Sequence, residues 1–254
     1  TYFGVLRSIS SWAKVSRELI LALSQAGARV NILERRGFLY EENFPLERDL
    51  RDRLNGRFQG EAVFTFEHPR NYGLLPKGML KIGLLVYELT RLPPLWVESV
   101  NRDLDLVLVP SQFCRRVFVE SGVAEHRVKV LRYGFNPAVY YPALERRRGE
   151  PFTFLCVANP HKREGLEFLL EAFALAFGGG DAVRLLLKMT YLPGKRVKSF
   201  EYADLAGMLA GFARRGVQIE LLTERLSEVE MGDLYRRADA YVSLSRAEAF
   251  GLCF

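Results

Sequence analysis

The sequence predicts an α/β fold in two parallel-sheet domains, the second incomplete. Three observations carry that expectation. Short apolar runs alternate with amphipathic helical stretches, the pattern of right-handed βαβ units. The alternation breaks once, near the middle, at a stretch rich in proline, glycine and charge, and then starts afresh. Apolar residues make up 49% and charged residues 26% of 254 residues, a globular composition in a chain long enough for two domains.

The first series of strand-like runs is Tyr2–Leu6, Arg29–Leu33, Ala62–Phe66, Ile82–Tyr87, Leu106–Val109 and Val128–Leu131. Val15, Leu19, Ala22, Leu23 and Ala26 fall at helical spacing between the first two runs. Residues 133–151, YGFNPAVYYPALERRRGEP, read as a linker because Pro137, Pro142 and Pro151 interrupt any regular element. The second series is Phe152–Val157, Val183–Lys188, Val217–Leu221 and Ala240–Leu244. Helical spacing recurs at Leu166, Leu169, Leu170 and Phe173, and again at Tyr202, Leu205, Leu209 and Phe212. Ser227 and Glu230 form a capping-box pattern ahead of Met231, Leu234 and Tyr235. The expected organisation is therefore two Rossmann-like domains, residues 1–134 and 151–254, joined by a linker over 135–150. Both ends are expected to be cut, since residue 1 is Thr and the chain stops at Phe254 just after a glycine loop.

Composition narrows the function classes. No apolar run reaches the ~18 residues of a membrane span. Cys114, Cys156 and Cys253 are far apart without a C-x-x-C pair, and His68, His126 and His161 lack metal-ligand spacing. No metal and no cofactor beyond a substrate is expected, and a reducing cytoplasm fits the cysteine usage. The net charge of +6 lies wholly in residues 1–150, with 23 basic against 17 acidic residues; residues 151–254 hold 13 of each. Arg outnumbers Lys by 28 to 8, which suits bidentate contact with phosphate or carboxylate. The first part is expected to meet an acidic partner, with peripheral contact at the inner membrane face as one option and a plain soluble surface as the competing reading. No nucleic-acid signature is present, so nucleic acid is not an expected partner. A dinucleotide oxidoreductase is also disfavoured, because no G-x-G-x-x-G follows a strand.

In parallel α/β domains, ligands gather at the carboxyl ends of strands. Ser10, Ser11 and Trp12 follow the first strand and open a helix, where backbone N–H groups can face an anion; a simple serine cap is the alternative. His68 in Glu67-His68-Pro69-Arg70 and Glu88 in Glu88-Leu89-Thr90-Arg91 end later strands. Either can act as a base or orient a sugar hydroxyl. In the second domain, Asn159-Pro160-His161-Lys162-Arg163-Glu164-Gly165 joins a strand to a helix, and two cations at a helix start suit a diphosphate. Ser245-Arg246-Ala247-Glu248-Ala249-Phe250-Gly251-Leu252 follows the last strand, placing a carboxylate beside a glycine-containing loop.

Taken together, these stretches resemble retaining GT-B glycosyltransferases of family 4 (glycosyl transferases group 1). Val109-Pro110-Ser111-Gln112-Phe113 with Ser121-Gly122-Val123 resembles the family's "VPS-x-F…GV" segment. Val128–Gly134 with Phe135-Asn136-Pro137 and Tyr141-Pro142 resembles its crossover between domains. Gly165–Phe173 is similar to "KGLDLLLEAF". Tyr235-Arg236-Arg237-Ala238-Asp239-Ala240 with Ser243–Leu252 is similar to "Y-x-x-A-D-x-x-V-x-P-S-x-x-E-G-F-G-L", the most specific part of the likeness.

The resemblance implies transfer of a sugar, with retention, from a nucleotide-sugar donor to a glycan, lipid-linked or other hydroxyl acceptor. It implies that Glu248 contacts the donor sugar as the first Glu of an E-x7-E motif. The second Glu would fall two positions past Phe254. Phe250, Gly251 and Leu252 would lie near the distal phosphate and sugar, and Lys162 and Arg163 would be the cations nearest the diphosphate. Glu88 aligns with the family's catalytic-loop His, and His68 is the other candidate. Asn159 and Glu164 stand where the family often has Arg and Lys, Ala249 stands in place of a Gly, and the Gly-rich loop after the first strand is lost. Those departures keep a second reading open, a non-catalytic glycosyltransferase-like binding module or an inactive fragment.

Overall fold

The computed structural model describes residues 1–37, 40–143, 151–159, 161–189 and 205–251. The chain divides into two compact units, Thr1–Tyr133 and Gly134–Phe254.

The first unit carries six parallel strands: β1 (Tyr2–Gly4), β2 (Ile32–Glu34), β3 (Ala62–Thr65), β4 (Leu80–Leu84), β5 (Leu106–Val109) and β6 (Val128–Val130), in the order β2-β1-β3-β4-β5-β6. The register sets Tyr2 against Ile32 on one side and Phe64 on the other, and Ile82 against Leu106. Helix α1 (Ser11–Gln25) buries Ala13, Ser16 and Ile20, one stripe at helical spacing. Two polar groups on that stripe satisfy each other. Tyr2 O–H donates to Ser16 Oγ at 2.8 Å, and Ser16 donates on to the Trp12 carbonyl at 2.8 Å. A buried hydroxyl without such a partner would cost about 1–3 kcal/mol. Helices α2 (Arg48–Arg51), α3 (Pro94–Asp103) and α4 (Gln112–Glu120) complete the unit. Ser111 caps α4 by accepting from Cys114 N at 3.1 Å.

The second unit carries β7 (Phe152–Val157), β8 (Val183–Lys188), β9 (Ile219–Leu222) and β10 (Ala240–Tyr241), all parallel, in the order β10-β7-β8-β9. Its strands are apolar nearly throughout because both faces of the sheet are covered. Cys156, Leu185 and Leu187 pack with Leu166, Leu169, Leu170 and Phe173 of α5 (Leu166–Ala176) and with Phe212 of α6 (Leu205–Arg214). Leu155 and Leu186 face Leu234 of α7 (Glu228–Arg237). Fully burying each such leucine contributes about 1.5–3 kcal/mol. The capping box at α7 forms as its spacing predicts: Ser227 N donates to Glu230 Oε2 at 2.7 Å, and Glu230 N donates to Ser227 Oγ at 3.3 Å.

Element ends differ from the pattern read in the sequence. The observed β1 and β10 are shorter than Tyr2–Leu6 and Ala240–Leu244, β4 starts and ends earlier than Ile82–Tyr87, and β2 sits later than Arg29–Leu33. After Gly4, Leu84 and Tyr241 an apolar run continues past its ladder partners, so hydropathy overshoots the pairing, whereas the ladders of β2 and β4 take in Glu34 and Leu80–Lys81 beyond the apolar runs. Tyr202 and residues 144–150 of the expected linker lie outside the described residues. Residues 134–143 belong with the second unit and pack on α7. Arg236 Nη1 donates to the Val139 carbonyl at 2.7 Å, its guanidinium lies 4.1 Å from the Tyr141 ring centroid, and Tyr140 O–H donates to Glu228 Oε2 at 2.8 Å. Among the described residues, no helix is long and apolar enough to cross a membrane.

Candidate functional site

The carboxyl edge of the second sheet brings two loops together. One leaves β7 and enters α5 through a 3-10 turn at Lys162–Glu164; the other leaves β10 and runs through Glu248. Gly165 joins the 3-10 turn to α5 at φ +62, and a Cβ there would stand 2.1 Å from the Leu244 carbonyl oxygen. Only glycine permits both that backbone angle and that approach. The close contact lets the second loop lie across the start of α5. Helix α5 has no side-chain cap, while Phe168 N and Leu169 N both donate to the Gly165 carbonyl.

Arg163 is the centre of the arrangement. Its Nη1 donates to Glu248 Oε1 at 2.7 Å and to the Ala247 carbonyl, while Nη2 meets Glu164 Oε1 at 2.6 Å. Ser245 Oγ donates to the same Glu248 oxygen at 2.8 Å. The backbone is tied as well, since Arg246 N donates to the Arg163 carbonyl at 2.7 Å. His161 accepts from Arg163 N through Nδ1 at 3.0 Å and so opens the 3-10 turn. Burial pushes the Glu164 carboxyl above its ordinary value; Arg163 opposes the shift and Glu248 adds to it. The structure thus sets Arg163 and Glu248 in direct contact, with Lys162 one residue away and exposed. Ala249 of this loop is buried, and Gly251 turns at φ +70 after Phe250. Leu252 lies outside the described residues.

Lys188 ends β8 but is not part of this cluster. It shares its face of the sheet with Leu186, the face that α7 covers, whereas α5 packs on the other. Its ammonium is buried and donates to the Met189 carbonyl at 3.0 Å, and burial lowers its pKa against the opposing pull of Glu224.

In the first unit, Ser10, Ser11 and Trp12 begin α1 at the carboxyl edge of the sheet. Ser10 Oγ accepts from Ala13 N at 3.3 Å, and a carboxylate closes the turn: Ile9 N donates to Glu41 Oε1 at 2.9 Å. Arg17 covers the Leu6 and Ser8 carbonyls. Trp12 stacks on Phe66 with centroids 4.8 Å apart and planes 9° apart. His68 Nδ1 accepts from Arg70 N at 3.2 Å, and its ring meets Trp96 edge-on at 4.8 Å. Burial lowers the His68 pKa and Arg70 adds to that, so the ring is held neutral further toward acid. Trp96 also contacts Tyr87, the residue before Glu88. Among the described residues, the Glu88 carboxylate has neither a hydrogen-bond nor an ion-pair partner.

Two residues went unread in the sequence. Glu67 is buried and accepts from Arg35 at 3.0 Å and Asn71 at 2.7 Å, a structural knot between the ends of β2 and β3. Asp239, part of the Y-x-x-A-D stretch, accepts from Thr153 N at 2.8 Å and fastens the start of β10 to β7. Glu67 lies two residues after β3 and Asp239 directly before β10, and that closeness to a strand end is the signal that marks them. The Asp-x-Asp spacing at Asp103 and Asp105 is also structural. Asp103 pairs with Arg102 at 2.8 Å, and Asp105 Oδ2 accepts from Lys81 N at 2.8 Å at the amino ends of β4 and β5.

Against solved structures, the chain aligns over 98% of its length with HepE of Anabaena in complex with UDP and glucose, at 13% identity and a TM-score of 0.64, covering 74% of that chain. It aligns over 99% with the apo form of the lipopolysaccharide outer core galactosyltransferase WaaB, at 11% identity, a TM-score of 0.58 and 75% of that chain. The fold is GT-B. A point mutant of S. aureus TarM in complex with fondaparinux, alpha-GlcNAc-glycerol and UDP matches 76% of this chain and 39% of its own, at 12% identity and a TM-score of 0.52. No protein-family model matches the chain, and no curated protein sequence matches it significantly. The GT-B fold agrees with the two Rossmann-like domains read from strand and helix alternation.

Proposed function

We propose that this chain is a glycosyltransferase that moves a sugar from a nucleotide-diphosphate sugar to an acceptor hydroxyl with retention of anomeric configuration. The observation that carries the reading is the Arg163–Glu248 contact at 2.7 Å, laid against the uncapped start of α5 at the carboxyl edge of the second sheet. The GT-B structures solved with UDP, with glucose or with UDP-glucose support the same class of donor.

A diphosphate leaving group gains negative charge as the sugar departs. Arg163, Lys162 and the N–H groups of α5 are the groups of this chain that stabilise it. Glu248 accepts hydrogen bonds from the sugar hydroxyls, and the backbone at Phe250, Gly251 and Leu252 meets the distal phosphate. In the structure Arg163 and Glu248 neutralise each other. Donor binding exchanges that pair: the diphosphate takes Arg163, and the carboxylate turns to the sugar. In the first unit Glu88 orients the acceptor hydroxyl, with His68, whose ring meets the same Trp96 as Tyr87, as the neutral alternative. The basic residues of that unit supply attraction for an acidic acceptor or membrane surface. No protein-bound metal takes part in this reading.

The test is turnover of a panel of nucleotide-sugars by the full chain, with and without chelator, followed by the anomeric configuration of the product. Release of nucleoside diphosphate with retention is expected. Donor binding without turnover on any acceptor would favour the binding module, for which Glu164 and Ala249 at family Lys and Gly positions speak.

A further inference from the structure

The loop after β10 is held on α5 by a residue that neither the cation pair nor the donor-sugar carboxylate explains. Arg246 lies between Ser245, which bonds Glu248, and Ala247, whose carbonyl takes Arg163. One guanidinium nitrogen of Arg246 donates to the Lys162 carbonyl; the other meets Glu167 Oε1 at 2.5 Å. The same group lies 4.8 Å from the Phe168 ring centroid. Its side chain therefore grips the 3-10 turn and the first turn of α5 at three points, and its backbone N–H adds a fourth at the Arg163 carbonyl.

We infer that Arg246 is a positioning residue that sets the placement of Glu248 on the donor sugar. This rests on the nucleotide-sugar reading above. The side chain is 42% exposed and Glu167 29% exposed, so the pair adds little to stability. What a planar fork adds at an exposed site is geometry, because two fixed N–H directions define where the loop sits. Loss of the fork leaves the 245–248 loop tied through Arg163 and the Arg246 backbone N–H, so that once the diphosphate takes Arg163 the loop loses its side-chain hold while the start of α5 stays in place. The diphosphate keeps its partners. The sugar hydroxyls lose an aligned carboxylate, and misplacement by ~1 Å is enough to cost a large factor in rate.

The experiment is calorimetric titration of wild type and Arg246→Ala with UDP-glucose, GDP-mannose and ADP-glucose, each beside its free nucleoside diphosphate, together with thermal melting. The expected result is a roughly tenfold loss of affinity for the nucleotide-sugar that wild type binds, and less than about a twofold change for the free diphosphate. Tm should move by only a few degrees, and kcat should fall more than KM rises. Glu167→Gln should show the same sign at smaller size, and it decides the matter if Arg246→Ala does not fold. Equal losses for nucleotide-sugar and diphosphate, or no change in either, would overturn the positioning role while the donor reading stands. A wild-type chain that binds none of the three pairs overturns the donor reading, and the positioning role with it.

Discussion

Two of the turns that carry a strand into a helix at the carboxyl edge of a sheet, those after β1 and β7, have opposite characters. After β1, the turn is closed by the protein itself. Ser10 caps α1, Glu41 occupies the Ile9 N–H, Arg17 covers two carbonyls, and Trp12 lies flat on Phe66. After β7, the helix starts at Gly165 without a side-chain cap, and its neighbouring charges are held by another charged loop rather than by neutral packing. An ion pair can be exchanged for a charged ligand, whereas a cap and an aromatic stack must be broken for one. A helix N-terminus is thus no guide to ligand binding until its first-turn donors are accounted for.

The contrast can be broken most sharply at the charged pair. Arg163→Ala and Glu248→Ala should each lower donor turnover by about 10²–10³-fold. Steady-state kinetics on the panel would check this, and wild-type rates in either variant would end the donor-site assignment. Gly165→Ala comes next. The strained φ and the clash with Leu244 should remove about 3 kcal/mol of stability, read as a lower urea midpoint. Ser10→Ala in the closed turn should cost about 1 kcal/mol, as loss of a cap does. A fall in turnover beyond what that loss explains would return the turn after β1 to the ligand-binding residues.

Two smaller effects depend on pH. Burial raises the Glu164 pKa, so as pH falls through the range just above ordinary carboxylates it protonates while others stay charged. Arg163 then loses one competing carboxylate, and donor KM should fall a few-fold. Glu164→Gln should lower KM at neutral pH and flatten that dependence. His68 has a depressed pKa, so the unfolded chain binds the proton first as pH drops below about 6.5. Stability should decline slightly from there until pH passes the lowered folded value. Denaturant titrations at several pH values would show the decline absent in His68→Gln.

Much of this molecule was legible before its structure was known. Apolar runs and helical spacing marked the ten strands of the described residues and helices α1, α5, α6 and α7, because parallel strands covered on both faces need continuous apolar runs, while α3 and α4 went unread. Ser227 and Glu230 announced α7 because a capping box is a local device whose partners lie three residues apart. Lys162, Arg163 and Glu248 stood out as charges on strand-following loops. Strand ends were less legible, as Leu6 and Val86 show: each is buried yet lies beyond its ladder.

What the sequence alone determined is the class of fold and the identity of the charged groups, since both follow from periodicity and local chemistry. Tertiary structure decided which charges meet. Arg163 and Glu248 lie 85 positions apart and Arg246 and Glu167 lie 79 apart. Pairing β10 beside β7, and a missing Cβ at Gly165, bring those loops into contact. The same packing closed the turn at Ser10, because Glu41 and Phe66 arrive there from elsewhere in the chain. No local pattern encodes such distances, because the chain only fixes them once the sheet has set its strand order.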